Sequence, residues 1–202
     1  MAGLLQKLFA RRRKARNVVD NGRGNVFANV PAETRVVVFG NGNRVEFAEP
    51  GMHFGSWIHV GAADHPVNGA VVSVGRGTTS EECRITLMEH GSSVRIGADC
   101  MISTGVEFLA SDTHAVLDAQ GAVANIGRGI SLGDHVWIGR NAALLKNVEL
   151  PSGCIVGYGA VVSRIPDIAE RSVVVGNPGA VVRTGVCWDR RRPDEVAEGV
   201  KA

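Results

Sequence analysis

The sequence predicts an all-β chain folded as a parallel β-helix, and three observations carry that expectation. The first is a repeat of six: stepping on from Ile126 gives Leu132, Ile138, Leu144, Leu150, Val156 and Val162, all aliphatic, with Gly at 127, 133, 139 and 157. The second is a companion position four residues after each start, filled by Ile130, Val136, Ala142, Val148, Cys154 and Ala160. The third is composition: 26 of 202 residues are Gly and only 5% are aromatic, against an ordinary Gly share of about 7%. A period of six fits neither the 3.6 of a helix nor the alternation of a single strand. It fits a chain that turns a corner every six residues and points one aliphatic side chain inward from each unit. Three such faces close a coil, and coils stack at the sheet spacing of about 4.8 Å. Gly or Asn near the corners supplies backbone angles that branched residues resist.

Taken in order, residues 1–16 read as a short basic amphipathic helix. Leu4, Leu5 and Leu8 have helical spacing and precede the run Arg11-Arg12-Arg13-Lys14. Apolar residues ahead of the charges are the reverse of a signal peptide. This helix is expected to pack on its own oligomer, with attachment to a membrane surface as the alternative. The expected location is cytoplasmic, at most peripheral to an inner membrane. Cys83, Cys100, Cys154 and Cys187 lack C-x-x-C spacing and read as reduced thiols. Residues 17–93 read as irregular β-helix rungs with loops, marked by Val36/Val38, Val45/Phe47, Ile58/Val60, Val72/Val74 and Ile85/Leu87. Gly40-Asn41-Gly42-Asn43 is a turn between two of them.

Residues 94–185 form the regular hexapeptide-repeat domain. The same phase runs upstream through Ile96, Ile102 and Phe108, with Cys100 and Val106 at the companion position, so Cys100 and Cys154 are core filler. After Val162 the pattern stops. Asp167 to Glu170 reads as a turn or short helix, Val173-Val174-Val175 as one more strand, and Asn177-Pro178 as a sharp exit. Residues 186–202 are a tail with a helix start at Pro193-Asp194-Glu195, where Pro suits the first turn and the acids suit the dipole.

The phase fails in one place. From Ser111 to Asn125 the six-residue positions hold His114 and Gln120, and the companion positions hold Asp118 and Ala124. A coil cannot bury His, Gln and Asp without partners. A loop therefore leaves the coil around residues 111–125, with Ser111-Asp112-Thr113-His114 at its base, and loops on rigid scaffolds are where binding and catalysis concentrate. A net charge of +2 gives no footprint for nucleic acid.

Gly133-Asp134-His135-Val136-Trp137-Ile138-Gly139, the hexapeptides after it, and Val175-Gly176-Asn177-Pro178-Gly179-Ala180-Val181-Val182-Arg183 resemble the hexapeptide-repeat acyltransferases. The similarity covers about residues 85–185. Ser111-Asp112-Thr113-His114 followed by a loop, with Trp137 in the next coils, is similar to the O-acetyltransferase branch of maltose, nodulation-factor and polysaccharide enzymes. The resemblance implies a left-handed parallel β-helix with a protruding loop and short terminal helices. It also implies a homotrimer with active sites between subunits, and acetyl-CoA as co-substrate running along the coils, with no metal.

Acetyl transfer from a thioester to a hydroxyl needs a base for the hydroxyl proton and donors for the tetrahedral oxyanion. Histidine suits the first task, since its ordinary pKa is about 6.5. His114 has the family position and sits where the repeat breaks; Asp112, two residues away, is a candidate to orient its ring, as is a backbone carbonyl. No Ser or Cys reads as a nucleophile, so direct transfer in a ternary complex is expected. The resemblance also implies that Trp137 lines the channel of the pantetheine arm, that Tyr158 replaces a small residue touching the cofactor, and that Arg164 and Arg183 meet CoA phosphates. The expected acceptor is a sugar hydroxyl in surface-polysaccharide assembly. An amino sugar and a small xenobiotic alcohol are the alternatives. Two other classes remain: a zinc-dependent γ-class carbonic anhydrase, disfavoured because His114 has no histidine just downstream, and a non-catalytic trimeric scaffold. His53, His59, His65 and His90 fall among irregular rungs, and His135 at an exposed repeat position.

Overall fold

The computed structural model describes residues 17–199, so the basic helix expected over 1–16 lies outside the described residues. The chain winds into a three-sided prism of short parallel strands. The first face carries Val18–Asn21, Thr34–Phe39, Phe54–Val60, most of Thr79–Leu87, Val106–Leu109, Ala143–Leu145 and Val161–Val162. The second carries Val26–Ala28, Arg44–Phe47, Val71–Val74, Ser93–Ile96, Gly129–Leu132 and Val148–Leu150. The third starts with Thr79 and Ser80 and continues through Met101–Ile102, Trp137–Ile138, Ile155–Val156 and Val173–Val175.

Register shows why six residues make a unit. Leu132 pairs with Leu150, Ile138 with Val156 and Leu144 with Val162, eighteen residues apart on each of the three faces. One coil is therefore three hexads. Every repeat position from Leu132 to Val162 and every companion position from Ile130 to Ala160 is buried, as are Ile96, Cys100, Ile102, Val106 and Phe108. The paired residues of the earlier rungs, from Val36/Val38 to Ile85/Leu87, belong to the same continuous core.

The corners explain the punctuation. Along one prism edge Gly105, Asn141 and Gly159 follow one another, all with positive φ. Asn141 donates its amide to the Thr104 carbonyl and Gly159 to that of Arg140, each reaching the coil before it. A Cβ on Gly105 would come within 2.3 Å of the Asn141 side-chain oxygen, and the φ of 73° there also favours glycine. Asp99 and His135 occupy a second edge with φ of 52° and 55°.

One expectation needs correction. Ile126 is 64% exposed and is not a rung position. Across the loop Ile96 pairs with Leu132, Ile102 with Ile138 and Phe108 with Leu144, thirty-six residues apart rather than eighteen. The interruption therefore adds the length of one whole coil, so the hexad phase persists through residues that are not in the coil. Of the turn or short helix expected over 167–170, the structure has turns. Val173–Val175 is the last parallel strand, and Ala180–Arg183 folds back on it antiparallel after the Asn177-Pro178 turn. The C-terminal helix is Pro193–Gly199, with Asp194 and Glu195 in its first turn. No helix among the described residues is long and apolar enough to cross a membrane.

The register makes a direct prediction. Ile138 is fully buried, whereas Arg140, two residues on, is exposed. Ile138→Asp places an unpaired charge in the core and is expected to cost about 4 kcal/mol or more, while Arg140→Asp stays within about 0.5 kcal/mol. Chemical denaturation measures both, and equal losses would contradict the register.

Candidate active site

The loop that breaks the repeat is a small hairpin held at its base. Strand Val106–Leu109 ends at buried Ala110 and Ser111, residues 112–124 are exposed, and the chain is buried again at Gly127 before strand Gly129–Leu132. Leu117 and Val123 form an antiparallel bridge across the hairpin. At its tip the Asp118 carboxylate accepts the amides of Gln120 and Ala122, both at 2.9 Å.

Glu89, from the preceding coil, joins the two ends. One carboxylate oxygen accepts the Ser111 hydroxyl at 2.9 Å and the other the Gly127 amide at 2.7 Å. Asn125 adds a second tie. Its side-chain amide donates to the Asp112 carboxylate and the His114 carbonyl, both at 2.8 Å, while its oxygen accepts the Val116 amide at 2.8 Å. Lys146, from the following coil, is ion-paired to Asp112. Hydrogen bonds from Lys146 and then Asn125 hold the Asp112 carboxyl below the ordinary carboxylate range.

His114 is thus mounted on a loop anchored to the coils above and below it. It lines a shallow groove of about 380 Å³ together with His65, Met88, Glu89, His90 and Asn125. The two companion histidines are stacked, with ring centroids 6.3 Å apart. Within one chain the Asp112 carboxylate serves Lys146 and Asn125 rather than the His114 ring, so Asp112 orients the loop that carries the histidine. The His114 ring makes no hydrogen bond among the described residues.

Trp137 lies elsewhere, on the third face. Its neighbours in the outward row are Met101 and Ile155, with Val173 next, an in-register line of apolar side chains. The C-terminal segment straps across this face. Trp188 stacks on His135 at 4.0 Å between ring centroids and lies 6.2 Å from the Trp137 ring. Its indole donates to the His135 carbonyl at 2.7 Å, and the His135 ring meets Asp99 at 2.7 Å. Arg190 completes the strap with bonds to Asp99 (2.9 Å) and the Cys100 carbonyl (2.9 Å). Burial opposes ionisation of Asp99, but the bonds from His135 and Arg190 outweigh it and bring the carboxyl below its usual range. The indole N–H of Trp137 is buried without a hydrogen-bond partner among the described residues.

Tyr158 is 74% exposed and follows the third-face strand Ile155–Val156. Arg183 pairs in register with Val173 and borders the same face. Three of the four residues expected at the acyl donor therefore share one face. Arg164 does not; it lines a groove on the second face with Arg95 and Arg128. His114 and Trp137 do not meet in one chain.

Burial pushes the Cys83 thiol up to about 12 and Cys100 to about 11, and raises Cys154 as well, which makes all three poor nucleophiles. Among the described residues no three His, Cys, Asp or Glu side chains converge to hold a metal ion. The residues that sequence reading missed are Glu89, Asn125, Lys146, Asp99, Trp188 and Arg190. None sits at one of the inward positions by which the repeat was read, and their partners lie up to 113 positions away.

Known proteins resemble this chain in sequence and in fold. A polysialic acid O-acetyltransferase of Escherichia coli O1:K1 / APEC is 28% identical over 123 residues, covering 60% of this chain and 39% of the relative. One from Neisseria meningitidis is 39% identical over 70 residues, 34% of this chain and 32% of the relative. The crystal structure of the polysialic acid-specific acetyltransferase NeuO superposes with a TM-score of 0.67 at 26% identity, covering 91% of this chain and 97% of that one. Its relatives, in sequence and in fold, are hexapeptide-repeat acetyltransferases. The fold is the left-handed parallel β-helix of that group. No protein-family model matches the chain. The chain's matches span roughly a third to two-fifths of the length of these two curated relatives.

The base of the loop yields a second prediction. Glu89→Ala removes both ties at once and is expected to lower stability by about 1–3 kcal/mol, the cost of leaving a buried group unpaired. Hydrogen exchange at the Gly127 amide and proteolysis within 112–125 both accelerate, while rung amides far from the loop keep their protection. Unchanged exchange at Gly127 would contradict the anchoring role.

Proposed function

We propose that the chain is an acetyl-CoA-dependent O-acetyltransferase that acetylates a sugar hydroxyl of a polysaccharide or its precursor, with His114 as general base. The observation that carries this reading is the one break in the repeat. An eighteen-residue excursion leaves the regular hexads, is anchored from both neighbouring coils, and presents an imidazole with no hydrogen-bond partner among the described residues. The named activity of the relatives supports the reaction class, and their named acceptor supports a saccharide.

The chemistry balances with one base. The unprotonated His114 nitrogen takes the proton of the acceptor hydroxyl as its oxygen attacks the thioester carbonyl. The tetrahedral intermediate collapses by breaking the C–S bond, and the departing thiolate takes the proton back from the imidazolium. Asp112, Asn125, Lys146 and Glu89 hold the loop that fixes the histidine's position, which is where orientation enters the rate.

The donor belongs on the third face. Trp137 and the row Met101, Ile155 and Val173 suit a pantetheine arm, with Tyr158 and Arg183 at its border. In one chain this face is turned away from His114. A complete site therefore forms between copies, His114 from one and Trp137 from its neighbour, in a homotrimer. The hairpin supports this, since Val116, Leu117, Val123 and Ile126 are all exposed and want an apolar surface opposite them.

His114→Ala is expected to lower turnover by about 10²–10⁴-fold while leaving the trimer and acetyl-CoA affinity nearly unchanged. Near wild-type turnover in the variant would remove His114 from the mechanism. Sedimentation is expected to give three chains; an active monomer would contradict the shared site.

A further inference from the structure

The second face carries a charged groove that the reaction as described does not use. Arg95, Arg128 and Arg164 line a cleft of about 540 Å³ with Ser93, Ser131 and Asn147. Glu149 is the single acid among its lining residues, which leaves a surplus of two positive charges. The arginines that do form ion pairs lie elsewhere, at Arg44, Arg76, Arg190 and Arg191. Arg95, Ser131 and Glu149 stand in register on successive rungs, so the cleft runs along the coil axis with Arg95 at one end of this row and Glu149 at the other. The floor is kept low by Gly129, whose φ is +146° and whose Cβ would strike the Ser93 carbonyl at 2.2 Å. A side chain there would strike the Ser93 backbone and distort the rung.

Position decides what this cleft serves. Ile126 and Gly127 line the His114 groove, and Arg128 and Gly129, the next two residues, line the arginine cleft. The two grooves are lined by consecutive residues of the segment that leads into strand Gly129–Leu132, which places the guanidiniums next to the His114 groove. Guanidinium forks pair with carboxylates in two parallel bonds, and the serines and Asn147 offer partners for hydroxyls.

We propose that this groove binds the acceptor as an acidic polysaccharide, its carboxylates on Arg95, Arg128 and Arg164 while a neighbouring sugar presents its hydroxyl to His114. This rests on the acetyltransferase reading and narrows its acceptor to a polyanion longer than one sugar. It also gives Arg164 an acceptor role in place of the CoA contact implied by resemblance.

The test replaces the three arginines by Gln, singly and together, and uses a long sialic acid oligomer, a neutral dextran of matched length and acetyl-CoA as probes. The triple variant is expected to raise KM for the acidic oligomer by about tenfold or more, with kcat and the acetyl-CoA KM within about twofold of wild type. Wild-type KM for the oligomer rises with salt, and that slope flattens in the variant. A rise in the acetyl-CoA KM instead would assign the cleft to the CoA phosphates and overturn the proposal. Unchanged kinetics with both substrates, or equal use of dextran, would overturn it too. Direct binding separates this from the catalytic reading. The His114→Ala protein keeps salt-sensitive affinity for the oligomer and the triple arginine variant loses it. If the oligomer binds through these arginines but is never acetylated, the groove stands and the proposed reaction falls.

Discussion

Everything in the regular half of this molecule depends on closing a coil in eighteen residues, while most earlier rungs keep the same stacking with longer coils that carry loops. Backbone amides of one rung donate to carbonyls of a neighbouring rung, so a coil one residue too long would move its aliphatic side chains out of the core and leave polar groups unpaired. Side chains at two inward positions per hexad fill the narrow interior, and small residues such as Ala142, Cys154 and Ala160 alternate with Leu144, Leu150 and Val162. The interruption obeys the same rule. By adding one coil length it projects a loop without disturbing the register on either side, and the unbroken rungs before and after it become its anchors.

That rule also separates the functional groups. A residue's face is set by its place in the hexad, so His114 leaves from the edge between the first and second faces, while Trp137 is fixed to the third. A coil this thin cannot enclose a ligand in its own interior. It can only offer faces and edges, and in the proposed trimer two differently equipped surfaces meet. The strap of Trp188 and Arg190 belongs to the same economy, since it covers part of the third face and holds Asp99 and His135 at their corner.

Legibility in the sequence followed the same division. The hexads from Ile96 to Val162 could be read because burial depends on position alone. The earlier rungs were harder: Phe54–Val60 and Thr79–Leu87 are longer, a register shift separates Phe54 from Ser56, and inward polar residues such as Asn43 interrupt the apolar pattern. Ile126 misled because an insertion of one coil length preserves phase. His114 was found through the break in pattern together with family resemblance. Glu89, Lys146 and Trp188 left no trace, because a carboxylate bridging Ser111 and Gly127 is specified by three-dimensional proximity and not by spacing. The part of Asp112 in holding Lys146 was hidden for the same reason.

The claim that the site is assembled from two copies has a direct measurement. His114→Ala chains and Trp137→Ala chains are each expected to be deficient alone, the first in turnover and the second in its use of acetyl-CoA. Unfolding and refolding them together yields mixed trimers in which some interfaces pair an intact His114 with an intact Trp137 from the neighbour. Acetyl transfer to a saccharide acceptor is predicted to recover in the mixture, to a fraction set by the statistics of mixing. A verified mixed trimer with no recovered activity would show that both residues act within the same chain and would contradict this account.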